Sequence, residues 1–121
     1  IAAYDDARQV TAAFNKNVLR VVNRELDADF DLDRFAHRAV WDAKHEWIEM
    51  RLQSTRAQVV QLRHLDLEVS FQEGEQLRTE ISAKFRRSGV EAELARSGLR
   101  MTHWWTDEAN DFALSLSVAS R

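Results

Sequence analysis

The spacing of strand-like segments between residues 35 and 85 limits the fold more than any other feature. Five short stretches there are rich in β-branched and aromatic residues, and turn-like breaks separate them. They lie near residues 35–42, 46–53, 57–62, 67–71 and 77–85. The breaks are too short for an intervening helix, and strands joined so closely pair antiparallel. The sequence therefore predicts antiparallel hairpins or a β-meander.

A helix is predicted before these strands, over about residues 7–25. Asp6 and Gln9 have the spacing of a capping box at its start. An acidic turn follows over residues 27–33. Apolar residues recur at helical spacing, and these are Val10, Ala13, Phe14, Val18, Val21 and Val22. The spacing therefore predicts a helix with an apolar stripe over this range.

A second helix and two strands are predicted after Phe85. Ser88 and Glu91 form a capping box, and Gly98 stands where a helix ends with a glycine. Strands follow over about residues 99–106 and 111–119. The last one alternates small residues with Phe112, Leu114, Leu116 and Val118, which is typical of a buried strand on a second layer.

This tail predicts more sheet than the sequence contains. A strand that follows a short helix belongs to an α/β unit, and a two-stranded ribbon is marginal in water. We expect the tail to complete a larger sheet supplied by other residues, and the chain to be a piece of a longer protein. An unpaired sheet edge also favours self-association of such a piece.

Composition excludes several classes of partner. The chain has 121 residues, about one domain, with 17 basic and 20 acidic residues interspersed and a net charge of −3. Without a basic block, no nucleic-acid surface is indicated. Because no apolar run approaches the roughly 20 residues of a membrane span, no membrane partner is expected. The absence of cysteine excludes thiolate sites and is consistent with a cytoplasmic location.

Glycine and histidine placement argues against a nucleotide cradle or a metal centre. The three glycines, Gly74, Gly89 and Gly98, are scattered, whereas a nucleotide-binding loop needs clustered glycines. The four histidines show no metal-ligand spacing; they are His37, His45, His64 and His103. Each is interpreted as a surface or strand residue.

The stretch from Thr79 to Phe85 carries the most chemistry. On a strand, Ile81 and its odd-numbered neighbours point to one face, and Glu80, Ser82 and Lys84 point to the other. A carboxylate and a hydroxyl two residues apart stand roughly 7 Å from each other. Together they suit a small polar ring such as an imidazole. A solvated strand face explains the same pattern, with Lys84 either in solvent or paired with Glu80.

Six segments carry a resemblance to a known family, and these are residues 3–6, 14–19, 23–26, 48–50, 79–85 and 104–107. Through them the chain resembles the C-terminal part of the histidine-specific, S-adenosylmethionine-dependent Nα-methyltransferases, the first enzymes of ergothioneine biosynthesis. The resemblance extends over essentially the whole chain in one register. It implies that the donor-binding region lies before Ile1, and that this chain alone is inactive.

The resemblance also implies an α+β organisation in two parts. Residues 1–85 would form part of the amino-acid substrate domain, with the N-terminal helix and the β-meander. Residues 86–121 would supply the last helix and two strands of a Rossmann-like methyltransferase sheet. No residue of the chain is implied to be catalytic or to bind the donor.

The implied substrate is L-histidine, and the implied product is histidine betaine. Tyr4 would hold the amino-acid head group, Glu80 and Ser82 the imidazole, and Met50 would line the ring pocket. From pattern alone, core packing is the favoured interpretation of Met50, and only the resemblance gives a ligand contact equal weight. Two other functions remain open: a non-catalytic small-ligand or interaction module, and a related methyltransferase acting on another amino acid.

Overall fold

The computed structural model describes residues 3–120, which form two compact units. The first ends at Lys84 and the second begins at Phe85. The first contains α1 (Val10–Leu26), β1 (Phe35–Asp42), β2 (Trp47–Ser54), β3 (Gln58–Leu62), β4 (Leu67–Phe71) and β5 (Gln76–Ala83). The second contains α2 (Arg87–Arg96), β6 (Leu99–Thr106) and β7 (Ala113–Ala119). Two helices with small antiparallel sheets agree with the predicted α+β class.

The strands of the first unit do not form a meander. β5 pairs with β2, in a three-stranded antiparallel sheet of order β1-β2-β5. β3 and β4 form a separate hairpin between them in sequence. Of the two predicted alternatives, antiparallel hairpins are confirmed and the meander is wrong. The hairpin turns Val60, Leu62 and Phe71 into the core, where the Phe71 ring lies 5.4 Å from the Phe35 ring.

The core of the first unit lies between α1, the sheet and the hairpin. Each element contributes at least one apolar side chain that water scarcely reaches. These residues are Leu19, Phe35, Leu52, Val60, Leu62 and Phe71. Because burial of apolar surface is the main favourable term in folding, this cluster accounts for the compactness of the first unit.

The predicted apolar stripe of α1 faces the core at Val22 but not at Val10 or Phe14. The buried residues of α1 are Asn15 and Leu19, and Val22 and Leu26 pack against the core from the following turns. Val10 and Phe14, by contrast, are each exposed by more than 60%. Both stripes have helical spacing, so periodicity alone could not choose between them.

The start of α1 is capped by Asp6, in part as predicted. The Asp6 carboxylate accepts hydrogen bonds from the backbone N–H groups of Val10 (3.1 Å) and Thr11 (2.9 Å). The Thr11 N–H, and then that of Val10, lowers the pKa of Asp6. Gln9 does not return a side-chain bond, because it adopts a left-handed conformation at the helix end, with φ 56°. The predicted capping box is therefore wrong at Gln9.

In the second unit, the predicted end of α2 is confirmed and its predicted start is wrong. The helix begins at Arg87, so Ser88 lies inside the first turn and is not the cap. Gly98 follows the helix with φ 73°, the left-handed conformation that glycine favours. β6 pairs antiparallel with β7 alone. Phe112 and the apolar residues of β7 are exposed, so the predicted buried strand is not buried by the residues that the structure describes.

Candidate functional site

The predicted site residues on β2 and β5 share one face of the three-stranded sheet. Met50 lies directly opposite Glu80, and Ile48 lies opposite Ser82. Met50 and Ile48 are each only 3% exposed, whereas Glu80 is exposed and Ser82 is half-buried. Glu80 and Ser82 therefore lie next to two buried apolar side chains and not on a fully solvated face.

A β-bulge at Thr79 places Glu80 and Ser82 on this face. Leu77 pairs with Leu52 and packs against the core, but Thr79 is an extra residue between the pairs on either side of it. Side chains on a strand alternate between two faces, so one extra residue moves every later side chain of β5 to the opposite face. After Thr79, the even-numbered residues therefore lie on the same face as Met50. Without the bulge, Thr79 would lie opposite Met50 and Ile81 opposite Ile48, in the places that Glu80 and Ser82 now occupy. The Thr79 hydroxyl lies 3.0 Å from the carbonyl oxygen of Met50.

Tyr4, Ser82 and Lys84 form a hydrogen-bonded cluster next to this pair. The Tyr4 Oη lies 2.8 Å from Ser82 Oγ. Lys84 Nζ donates to Ser82 Oγ at 3.1 Å, contacts Tyr4 Oη, and lies 4.6 Å from the centre of the Tyr4 ring. Lys84 is exposed, as the sequence favoured, but its ammonium serves the two hydroxyls and not Glu80.

This cluster changes the acidity of the phenol. The Lys84 hydrogen bond, followed by that of Ser82, lowers the pKa of Tyr4 because both stabilise the phenolate. The charge of Glu80 acts in the opposite direction. The Tyr4 phenol therefore lies in the field of both charged groups.

The site retains unused hydrogen-bonding capacity. An ammonium only donates, and between two hydroxyls one hydrogen makes the shared bond. One hydroxyl hydrogen of the Tyr4–Ser82 pair therefore remains available to a ligand. Within residues 3–120, no group forms a hydrogen bond or ion pair with the Glu80 side chain. The cluster can thus present a donor and a free carboxylate acceptor to one small polar molecule.

We name the five residues Tyr4, Met50, Glu80, Ser82 and Lys84 the β5 site. The structure brings together all four residues that the sequence singled out, although Met50 is buried. The sequence did not identify Lys84 as a partner of Tyr4, even though its position two residues after Ser82 is a usable signal. Nor did it identify Asn15, a polar residue in phase with Leu19 on the buried stripe of α1.

The three glycines are scattered through the described residues. Gly74 lies in a turn, Gly89 inside α2 and Gly98 after it, so no backbone cradle is formed in residues 3–120. In the same range, no group of His, Cys, Asp and Glu could hold a metal ion. Neither α1 nor α2 is long and apolar enough to cross a membrane.

The chain matches known proteins over nearly all of its length. Residues 1–119 match the family model described as histidine-specific methyltransferase, SAM-dependent. The chain is 62% identical over 118 residues to a histidine N-alpha-methyltransferase of Mycolicibacterium smegmatis. It is 55% identical over the same length to one of Mycobacterium tuberculosis. Each match covers 98% of this chain and 37% of the relative.

These matches confirm the resemblance seen in the sequence. The chain spans a little over a third of the length of the two curated relatives, so they identify the family rather than the activity of these residues alone. The β5 site, with its free carboxylate and hydroxyl donor, is chemically suited to an imidazole. The chain belongs to the family of histidine-specific, S-adenosylmethionine-dependent methyltransferases.

Proposed function

We propose that the chain supplies the amino-acid site of a cytoplasmic L-histidine Nα-methyltransferase. S-adenosylmethionine would donate the methyl groups, and histidine betaine would be the product, made for ergothioneine biosynthesis. The residues after Phe85 would complete the donor domain, whose binding region would lie outside this chain. The observation that carries the proposal is the β5 site, where Glu80 is a free acceptor beside the Tyr4–Ser82–Lys84 cluster.

Each residue of the site has a role that its chemistry allows. Glu80 accepts a hydrogen bond from an imidazole N–H and stabilises a protonated ring. Ser82 donates to or accepts from the other ring nitrogen. Tyr4 holds the head group through its phenol, and Met50 lies under the ring. The bond between the Tyr4 and Ser82 hydroxyls uses one of their two hydrogens, so the other hydrogen can be donated to the amino acid.

The chemistry assigned to these residues is orientation. Methyl transfer moves positive charge from the donor sulfur to the amine nitrogen in one displacement. The protein must therefore keep the amine neutral and aligned, which needs no covalent intermediate. Anchoring the imidazole on β5 leaves the amine free to turn as methyl groups accumulate.

The decisive experiment measures histidine methylation by the complete enzyme that contains this chain. Product would be followed by mass spectrometry in wild-type, Glu80→Gln and Glu80→Ala forms. A hydrogen bond to a charged group contributes about 1.5–3 kcal/mol, so Glu80→Ala should weaken histidine binding roughly 10- to 150-fold. Glu80→Gln keeps an acceptor but loses the charge, and should lie between the two.

The matched control is Glu73→Gln, an exposed carboxylate in the turn before β5. It should leave turnover unchanged. Equal turnover by wild type and Glu80→Ala would remove Glu80 from the substrate site.

Calorimetry against several amino acids tests the two other functions that the sequence left open. Histidine should bind best, because an amino acid without a ring N–H leaves Glu80 without its partner. Equal binding of apolar amino acids would contradict the imidazole assignment. Binding of histidine without methylation by the complete enzyme would favour a non-catalytic module. We also expect the 121 residues alone to show no turnover, since the proposed donor-binding region would lie outside them.

A further inference from the structure

His37 links the segment that carries Tyr4 to the sheet. Its Nε2 lies 2.7 Å from the carbonyl oxygen of Tyr4, and its Nδ1 lies 2.9 Å from Nδ2 of Asn15. A carbonyl only accepts and an amide nitrogen only donates. Both contacts are therefore satisfied by a neutral imidazole with its proton on Nε2.

The orientation of the Asn15 amide is fixed by a third partner. Asn15 is 3% exposed, and its Nδ2 also donates to the backbone carbonyl of Arg51 at 3.1 Å. Its Oδ1 contacts the hydroxyl of Thr79, the bulge residue of β5. Reversing the amide would place its oxygen against the Arg51 carbonyl, acceptor against acceptor. The buried network thus has one arrangement in which every group is paired.

We infer that His37 and Asn15 are positioning residues for the Tyr4 phenol. Asn15 holds His37 in its neutral Nε2–H form, and His37 holds the backbone of Tyr4 at its carbonyl. Ser82 holds the same residue at its phenol, so two bonds on different elements fix the direction of the ring. Neither His37 nor Asn15 touches substrate. The expected effect of these residues on the KM for histidine rests on the proposed function, whereas the tautomer of His37 does not.

The first test reads the tautomer directly, by nuclear magnetic resonance of isotope-labelled imidazole nitrogens in the complete enzyme. His37 should show a protonated Nε2 and an unprotonated Nδ1. Asn15→Asp replaces the amide donor by an acceptor and should move a proton onto Nδ1. A wild-type His37 with its proton on Nδ1 would overturn the inference, whatever the activity of the enzyme.

The second test is kinetic. His37→Ala should raise the KM for histidine roughly 2- to 10-fold, the range for losing one neutral hydrogen bond, with little change in kcat. His37→Gln places an amide N–H near the position of Nε2 and should restore most of the loss. If His37→Ala fails to fold, His37→Gln still tests the inference. The control is His64→Ala, an exposed histidine whose Nδ1 lies 3.1 Å from the carbonyl oxygen of Glu25.

A double variant separates positioning from general stability. If His37 acts through the Tyr4 phenol, His37→Ala should add almost nothing in a Tyr4→Phe background. Additive losses would overturn the positioning role. If Tyr4→Phe itself leaves KM unchanged, Tyr4 does not hold substrate. In that case both the positioning role of His37 and the proposed role of Tyr4 in substrate binding are wrong. The tautomer of His37 is tested separately by the magnetic resonance experiment.

Discussion

In the first unit, β2 buries Leu52 completely in a core shared with α1 and the hairpin, whereas in the second unit Leu114 on β7 is 58% exposed. Yet β7 shows the more regular alternation of apolar and small residues. Alternation makes a strand able to bury one face, but burial also needs a second layer. The first unit contains that layer, and the described part of the second does not place one over β7.

The largest expected effect tests this contrast with matched leucines. Leu52→Ala removes buried methyl groups and leaves a cavity, which should lower the free energy of unfolding of the first unit by about 2–5 kcal/mol. Leu116→Ala on the exposed face of β7 should cost about 0.5 kcal/mol or less. Hydrogen exchange resolved by strand would measure both. Equal losses would show that β7 is covered in solution.

The next effect concerns Glu49, a buried carboxylate of β2. Arg51 ion-pairs with it, Arg78 Nη1 lies 2.9 Å from its Oε1, and Trp47 donates to it at 3.1 Å. The Arg51 hydrogen bond, then that of Arg78, lowers the pKa of Glu49. Because the folded pKa is depressed, the unfolded chain binds more protons on acidification. Stability from this group is present above the ordinary glutamate pKa and is lost as pH falls below it.

Unfolding curves at decreasing pH would measure this dependence. Glu49→Gln should be less stable than wild type at neutral pH and should lose less on acidification. Glu91→Gln in the second unit is the control, because its ion pair with Arg87 is exposed on both sides. An equal loss of stability on acidification in wild type and Glu49→Gln would show that Glu49 does not cause the pH dependence.

A smaller effect tests whether the uncovered strand drives association. We expect the isolated chain to self-associate through β7, because the apolar face and the open edge lie in the same strand. Leu114→Lys should weaken the association, measured by sedimentation over a range of concentrations. Val59→Lys, at an exposed apolar position of the first unit, should not change it. Association unaffected by Leu114→Lys would assign the contact to another surface.

The smallest effect lies at the surface of the first unit. Tyr4 is the single tyrosine of the chain, so tyrosinate absorbance during an alkaline titration reports on it alone. Lys84→Met should raise the pKa of Tyr4 towards its ordinary value, and Lys44→Met should not. Because the folded pKa is lowered, the contribution to stability grows as pH rises towards the unfolded pKa and is absent at neutral pH. An unchanged midpoint in Lys84→Met would contradict the contact.

Most elements of this fold could be predicted from local pattern, and the errors share one cause. Strand positions followed from period-two segments and turn breaks, and β1, β4 and β6 have the predicted bounds. Pairing of β5 with β2 was missed, because nothing local states that a hairpin will leave the sheet. The inward stripe of α1 was missed for the same reason: Leu19 and Phe14 are equally apolar in sequence.

The site was predicted further than the contacts that support it. Glu80 and Ser82 were found from alternation, and Tyr4 and Met50 from the family resemblance. The contact of Lys84 with Tyr4 joins residues 80 positions apart, and the Asn15–His37–Tyr4 chain joins three separate segments. Such pairings carry no signature in a single sequence, because hydrogen-bonding capacity does not name its partner.

The sequence by itself determined the order and type of the elements, the family, and the chemical groups available on β5. Only the tertiary structure decided which face those groups occupy. The single extra residue at Thr79 moves each later side chain of β5 to the opposite face of the sheet, because side chains on a strand alternate with a period of two. Tertiary packing also left β7 exposed, since burial depends on what covers a strand as well as on its own residues.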